Sequence, residues 1–333
     1  PGGHIAIHKS VLIKSDSESE LASVIGHEIS HVTQQHIARK LEGSRFDSII
    51  ALGSLLAAAA AGGGEAAQAA FGVAQASIID RQLRYSRSYE AEADSLGIRL
   101  MSKAGFDPAA MPVFFKRLLD ESRINESNAP EFMRSHPLTI NRIAESSERV
   151  KLYPAVGARD ESHFKMMQAK AMAGYSKNSS LTRDLYKNKI KLGDKSIATR
   201  YGYALALSEN NEFDEARTEF SHLLKEFPNN VTIALSNANN ELEDKQIKQG
   251  LSLLETLFTQ ERAKGNHLID IYYANALVLT ERNQEAIPII RSAIANEQSE
   301  PYLHILLSRA YYETGDRMRS YQERAEYHYL QGN

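Results

Sequence analysis

YGYALALSENNEFDEARTEFSHLLKEFPNN, residues 201–230, reads as a helical hairpin with small residues at fixed places. Ala204 and Ala216 are the small positions, Phe220 is aromatic, and Pro228 follows Phe227 where the second helix should stop. Stepping forward from Ala216, the same position falls on Gly250, Ala286 and Ser320, at spacings of 34, 36 and 34 residues. The partner position gives Ala204, Ala238, Ala274 and Ser308 in the same register. Small side chains are needed there because paired helices, and neighbouring hairpins, approach closely at those points. A plain helical bundle has no reason to repeat in this way.

The period and the residue pattern are those of the tetratricopeptide repeat, so about four repeats are expected, stacked into an α-solenoid. Residues 164–198 are compatible with one further, degenerate hairpin at its start, and 328–333 with a tail. With 333 residues, 42% hydrophobic and 24% charged, the chain has room for a second domain and the composition of a folded one. The division is expected as 1–155 and 160–333. Residues 1–150 hold 16 basic and 18 acidic side chains, so no basic stripe marks a nucleic-acid binder. The absence of cysteine excludes disulfides, thiol nucleophiles and cysteine zinc sites. No charged segment followed by an apolar one opens the sequence, so localisation has to come from elsewhere.

The first 155 residues read differently. Ile5-Ala6-Ile7 and Val11-Leu12-Ile13 are short β-branched runs and predict one or two strands, a small edge sheet. Ser17-Glu18-Ser19-Glu20 fits a capping box, and Leu21, Val24, Ile25, Ile29 and Val32 recur at helical spacing as one apolar stripe. A further helix is expected from about Ser88 to Lys103, closed by Gly105, with Asp107 and Pro108 opening the next. Residues 130–153 read as a loop and a short helix. The Ala- and Gly-rich stretch 49–79, broken at Gly62-Gly63-Gly64, predicts a helical hairpin or lid, with contact at a membrane surface as the alternative.

Chemistry concentrates in His27-Glu28-Ile29-Ser30-His31, in the middle of the first long helix. Histidines at i and i+4 stack on one helix face, so both imidazoles can reach one tetrahedral ion. Glu28 beside them can take a proton from water held on that ion. A catalytic site of this kind needs a third ligand. Glu90 and Asp94 lie one helical turn apart in YEAEAD, residues 89–94, and face the same way. Glu90 is the expected carboxylate ligand, and Asp94 the acceptor for the outer N–H of a liganding histidine. Glu92 points elsewhere and reads as a solvated carboxylate, the alternative being that a shift in helix register makes it the ligand in place of Glu90. His4, His8 and His36 lack ligand spacing and read as structural.

HEISH followed by EAEAD, within the context SESELASVIGHEISHVTQQH, resembles the M48 zinc metallopeptidases, most closely their periplasmic, repeat-bearing branch. The resemblance spans the chain in the same domain order. It implies an α+β, predominantly α fold: a gluzincin-like M48 domain with a small edge sheet, then the tetratricopeptide solenoid. It implies one Zn2+ per chain on His27, His31 and Glu90, with Glu28 as general base. It also draws in Ser135-His136-Pro137-Leu138 and Arg142, because family members carry an HP motif followed by an Arg. His136 is then expected to complete the zinc tetrahedron at rest and to gate the site. Arg142 is expected either to stabilise the oxyanion or to bind Glu90. Gly3, His4 and Ile5 would hold unfolded substrate as an added strand.

By the same resemblance, the activity is zinc endopeptidase with a chaperone-like role. The substrates are stalled or misassembled outer-membrane β-barrel proteins, the partner is the barrel assembly machinery engaged through the repeats, and the compartment is the periplasm. The competing expectation is a repeat adaptor whose zinc site is structural and permanently closed by His136.

Overall fold

A computed structural model describes residues 5–60, 65–124, 132–133, 136–175, 178–261, 267–296 and 300–332. The chain parts into two compact units, Pro1–Lys165 and Met166–Asn333. Among the described residues all regular structure is helical. The first unit contains α1 (Lys9–Lys14), α2 (Glu18–Thr33), α3 (His36–Ala60), α4 (Glu65–Lys103), α5 (Ala110–Ile124) and α6 (Ile140–Val150), and α7 (Ser162–Tyr175) runs from it into the second.

The expected edge sheet is not found among the described residues. Residues 5–8 have no regular structure, and Val11-Leu12-Ile13 lies inside α1. A strand needs a neighbour to take its backbone hydrogen bonds, and none is found among the described residues. The segment closes its own bonds instead: His8 Nδ1 caps Ser10 N–H at 3.3 Å, Val11 is buried in the core and Ile7 packs against it.

The N-cap at Ser17 forms as expected, its hydroxyl accepting from Glu20 N–H at 3.2 Å, while the Glu20 carboxylate accepts from Asp16 N–H at 2.6 Å. The buried face of α2, however, is not the apolar stripe. Ser19, Glu20, Ser23, Gly26, His27 and Ser30 are buried with Val24, whereas Ile25 and Val32 are exposed. Small residues win this face because α4 packs directly against it. The serines need no partner helix: Ser23 Oγ donates to Glu20 O at 2.6 Å and Ser30 Oγ to Gly26 O at 2.7 Å. Helix α4 ends at Lys103 with Gly105 at φ 78, but it begins at Glu65 rather than near Ser88, so α3 and α4 form a long hairpin around 49–79. Ile98, Met101, Met111, Phe114 and Phe115 close the core under this layer.

The second unit continues with α8 (Ser179–Lys191) and four hairpins: α9 (Ile197–Glu209) with α10 (Phe213–Glu226), α11 (Val231–Glu243) with α12 (Ile247–Glu261), α13 (His267–Leu279) with α14 (Asn283–Asn296), and α15 (Pro301–Glu313) with α16 (Arg317–Leu330). Ala204, Ala238, Ala274, Ala216 and Ala286 are fully buried at the small positions. In the last hairpin the two positions touch, Ser308 Oγ donating to Ser320 O at 2.8 Å. Each hairpin turns through one residue in the left-handed region: Asn211 at φ 61, Lys245 at 62, Glu281 at 61 and Gly315 at 86. These follow the same 34-, 36- and 34-residue steps as the small positions.

Candidate metal centre

Two glycines decide how closely α2 and α4 approach. A Cβ on Gly26 would lie 3.2 Å from the Gly97 carbonyl oxygen, and one on Gly97 would lie 3.1 Å from the His27 backbone nitrogen. The backbones therefore touch where His27 leaves α2, and the α4 carboxylates one and two turns before Gly97 reach across to it.

His27, His31, Glu90 and His136 each offer one atom to a group in which all four lie within 4.8 Å of one another. His31 Nε2 is 3.0 Å from His27 Nε2, and His136 Nδ1 is 3.2 Å from His27 Nε2. Glu90 Oε2 lies 3.4 Å from His27 Nε2, Glu90 Oε1 3.3 Å from His31 Nε2, and His136 Nδ1 3.1 Å from Glu90 Oε1. Three imidazole nitrogens and a carboxylate facing one point could hold a metal ion.

The outer atoms of these side chains are held as well. His27 Nδ1 is 2.9 Å from Asp94 Oδ1. Arg142, buried at the start of α6, donates Nε to Asp94 Oδ2 and Nη2 to Asp94 Oδ1, both at 2.8 Å. Its Nη1 donates to Pro137 O at 2.9 Å and lies 2.8 Å from Glu90 Oε2. Of the two roles open to Arg142, its guanidinium geometry is that of a clamp on both carboxylates and on the loop carrying His136. Thr139 sets this up by capping α6, its hydroxyl accepting from Arg142 N–H at 3.2 Å.

Burial alone would depress the pKa of His27, but Asp94 and Glu90 outweigh it and hold it up at about 9. Burial would raise Glu90, yet hydrogen bonds from His136, His27 and His31 keep it well below the usual carboxylate range. Asp94 behaves likewise, its burial outweighed by His27 and Arg142. In the absence of a cation the centre is a tight mesh of opposite charges.

Glu28 is half-buried and lies 3.3 Å from His136 Nε2. Phe132 stacks on the His136 ring at 5.0 Å between centroids. A cleft of about 410 Å³ opens at this side, lined by Ile7, Val11, Val24, Glu28, Phe132 and His136. A second, of about 560 Å³, is bordered by Arg87, Glu90, Pro137 and Arg142. Gly3, His4 and Ser135 lie outside the described residues; Ile5 is exposed and not in a strand, while Ala6, Ile7 and His8 line the first cleft.

His36 and Glu92 are placed otherwise than their spacing suggests. His36 is buried, with Nδ1 2.8 Å from His31 Nδ1 and Nε2 3.1 Å from Glu92 Oε2. No spacing in the sequence signals this contact, because it arises from α3 folding back onto the opposite flank of α4. Burial, outweighing Glu92, lowers the His36 pKa and favours the neutral ring.

The profile of peptidase family M48 matches residues 1–150. A putative beta-barrel assembly-enhancing protease of Vibrio cholerae is 36% identical over 339 residues, covering 100% of this chain and 69% of that protein. The chain belongs to peptidase family M48. The M48 relatives include the beta-barrel assembly-enhancing protease of Escherichia coli K12, 31% identical over 337 residues, covering 99% of this chain and 68% of that protein. The mitochondrial metalloendopeptidase OMA1 of Schizosaccharomyces pombe is 32% identical over 150 residues, covering 44% of this chain and 41% of that one. Among solved structures, MamA aligns at 16% identity with a TM-score of 0.42, covering 51% of this chain and 97% of its own. By its family the chain is a metallopeptidase.

Proposed function

We propose that the chain is a zinc endopeptidase of the bacterial periplasm that degrades outer-membrane β-barrel proteins whose assembly has stalled or failed, and promotes assembly of others. One observation carries the catalytic part. His27 Nε2 lies 3.0–3.4 Å from donors on His31, His136 and Glu90, and the four donor groups lie within 4.8 Å of one another. A tetrahedral ion with bonds of about 2.0–2.1 Å requires edges of roughly 3.3–3.4 Å. Nitrogen and oxygen donors without thiolate, in a tetrahedral set, fit Zn2+.

His27, His31 and Glu90 are the proposed protein ligands, with His136 as the fourth in the resting enzyme. A zinc ion there supplies a polarised water and a Lewis acid for the scissile carbonyl. Glu28 would accept a proton from the attacking water and return it to the leaving amine. Asp94 holds His27 in the Nδ1–H tautomer, and Arg142 fixes Asp94, Glu90 and the Pro137 carbonyl. Withdrawal of His136, which lines the first cleft, would leave room beside Glu28 for the attacking water. Ala6, Ile7 and His8 line the first cleft, and Gly3, His4 and Ile5 before them would guide an extended substrate.

The names of the relatives support the envelope role, and the repeat unit offers the surface for unfolded barrel proteins and for the barrel assembly machinery. No described helix is long and apolar enough to cross a membrane; exposed Ile49, Leu52 and Leu56 on α3 support peripheral contact with one. The position of His136 also suits a closed, structural zinc site in an adaptor. Glu28→Gln separates the two: it should retain one zinc per chain and lose at least about 100-fold in cleavage of unfolded casein. Intact cleavage by this variant rules out the catalytic reading.

A further inference from the structure

We propose that His36 and Glu92 form a relay that orients and polarises His31, a positioning device for the metal centre. The inference rests on the metal reading above and extends it to residues with no ligand spacing. His31 turns Nε2 to the centre and Nδ1 to His36, 2.8 Å away. With Nε2 engaged as a lone-pair donor, the His31 proton sits on Nδ1 and is donated to His36 Nδ1. His36 then carries its own proton on Nε2, which faces Glu92 Oε2 at 3.1 Å. Every donor meets an acceptor, and the chain runs from the carboxylate through two rings to the centre in one direction only. Negative charge on Glu92 pulls each proton outward and makes His31 Nε2 the stronger base.

The surroundings fix this geometry. Gln35 adopts φ 55, a conformation non-glycine residues seldom take, and this turns the chain sharply between α2 and α3. His36, the first residue of α3, is thereby brought back against His31. Tyr89 stacks on the His36 ring with centroids 4.7 Å apart, and the Arg39 guanidinium lies 4.8 Å over Tyr89. Arg39 Nη1 also donates to Glu92 Oε2 at 2.9 Å, holding the carboxylate at the far end. The relay is the counterpart, for the second histidine of the pentad, of what Asp94 does for the first.

Zinc affinity is measured on the full chain by competition with a chromophoric chelator, with circular dichroism and melting of the metal-free protein as fold controls. His36→Leu is expected to weaken binding about 10–100-fold, and Glu92→Ala by a factor of about 10. His36→Gln, whose carbonyl can accept from His31 and whose amide can donate to Glu92, should recover most of the loss. In cobalt-substituted protein the visible ligand-field band should shift in His36→Leu and return in His36→Gln. A residue that only packs would lower the melting temperature of the metal-free protein while leaving the chelator titration and the cobalt band unchanged. That result overturns the relay. If His36→Leu does not fold, Glu92→Ala decides alone, and binding within twofold of wild type overturns it. Wild-type protein that binds no ion removes the metal reading itself, and the relay with it.

Discussion

His27 sits between two carboxylates that raise its proton affinity, and this has a measurable consequence in metal-free protein. Its folded pKa of about 9 lies above the unfolded 6.5, so its contribution to stability is complete below pH 6.5 and is lost as pH rises through about 9. Thermal melting of chelated protein should therefore decline over that window. Metal binding near pH 7.5 should release a proton, which calorimetry in buffers of different ionisation heat detects. Arg142 is the other decisive residue. Arg142→Ala leaves Glu90 and Asp94 buried without their cation and should cost about 3–5 kcal/mol in denaturant unfolding of the metal-free protein. The histidine pair, Glu28 and Glu90 could be singled out from spacing and side-chain chemistry, because helical periodicity alone puts the two imidazoles on one face. Glu92 could not: two residues from Glu90 it points away from the centre, and only the return of α3 gives it a partner.

At the level of elements, the crossing of α2 and α4 depends on the absence of two side chains. Gly26→Ala sets a methyl 3.2 Å from the Gly97 carbonyl, where backbone cannot step aside. A loss of about 1–3 kcal/mol is expected, together with weaker metal binding, since Glu90 and Asp94 ride on the displaced helix. The repeat turns make the opposite prediction. Glu281 is exposed and held at φ 61, so Glu281→Gly should stabilise the repeats by up to about 1 kcal/mol in urea titration. The small-residue register of the repeats was visible in sequence because close packing tolerates little else. The apolar run at Val11-Leu12-Ile13, with two β-branched residues, misleads because propensity yields where no described strand lies beside it. The stripe on α2 misleads in part: Val24 is buried and Leu21 packs on the core, but Ile25 and Val32 face outward while glycine and serine meet α4.

For the molecule as a whole, each unit buries hydrophobic clusters of its own, Phe114 and Phe115 anchoring that of the first, Tyr201 with Phe220 and Leu254 with Leu277 lying in two clusters of the second. Scanning calorimetry should resolve two transitions. Chelation should lower only the one belonging to Pro1–Lys165, where the candidate ligands lie, by the free energy of metal binding. A single transition that moves as one with chelator would contradict this division of stability.

The bond from Arg142 to the Pro137 carbonyl, 2.9 Å long, ties the segment bearing His136 to the same guanidinium that grips Glu90 and Asp94. A hydrogen bond from a charged donor contributes about 1.5–3 kcal/mol, so rupture of this one tether alone lowers the equilibrium occupancy of a swung-out segment by roughly ten- to a hundredfold. On the gated reading proposed above, basal turnover should then be slow by that ratio, and a partner that takes over the Pro137 carbonyl while leaving Arg142 on Glu90 and Asp94 would act as an accelerator.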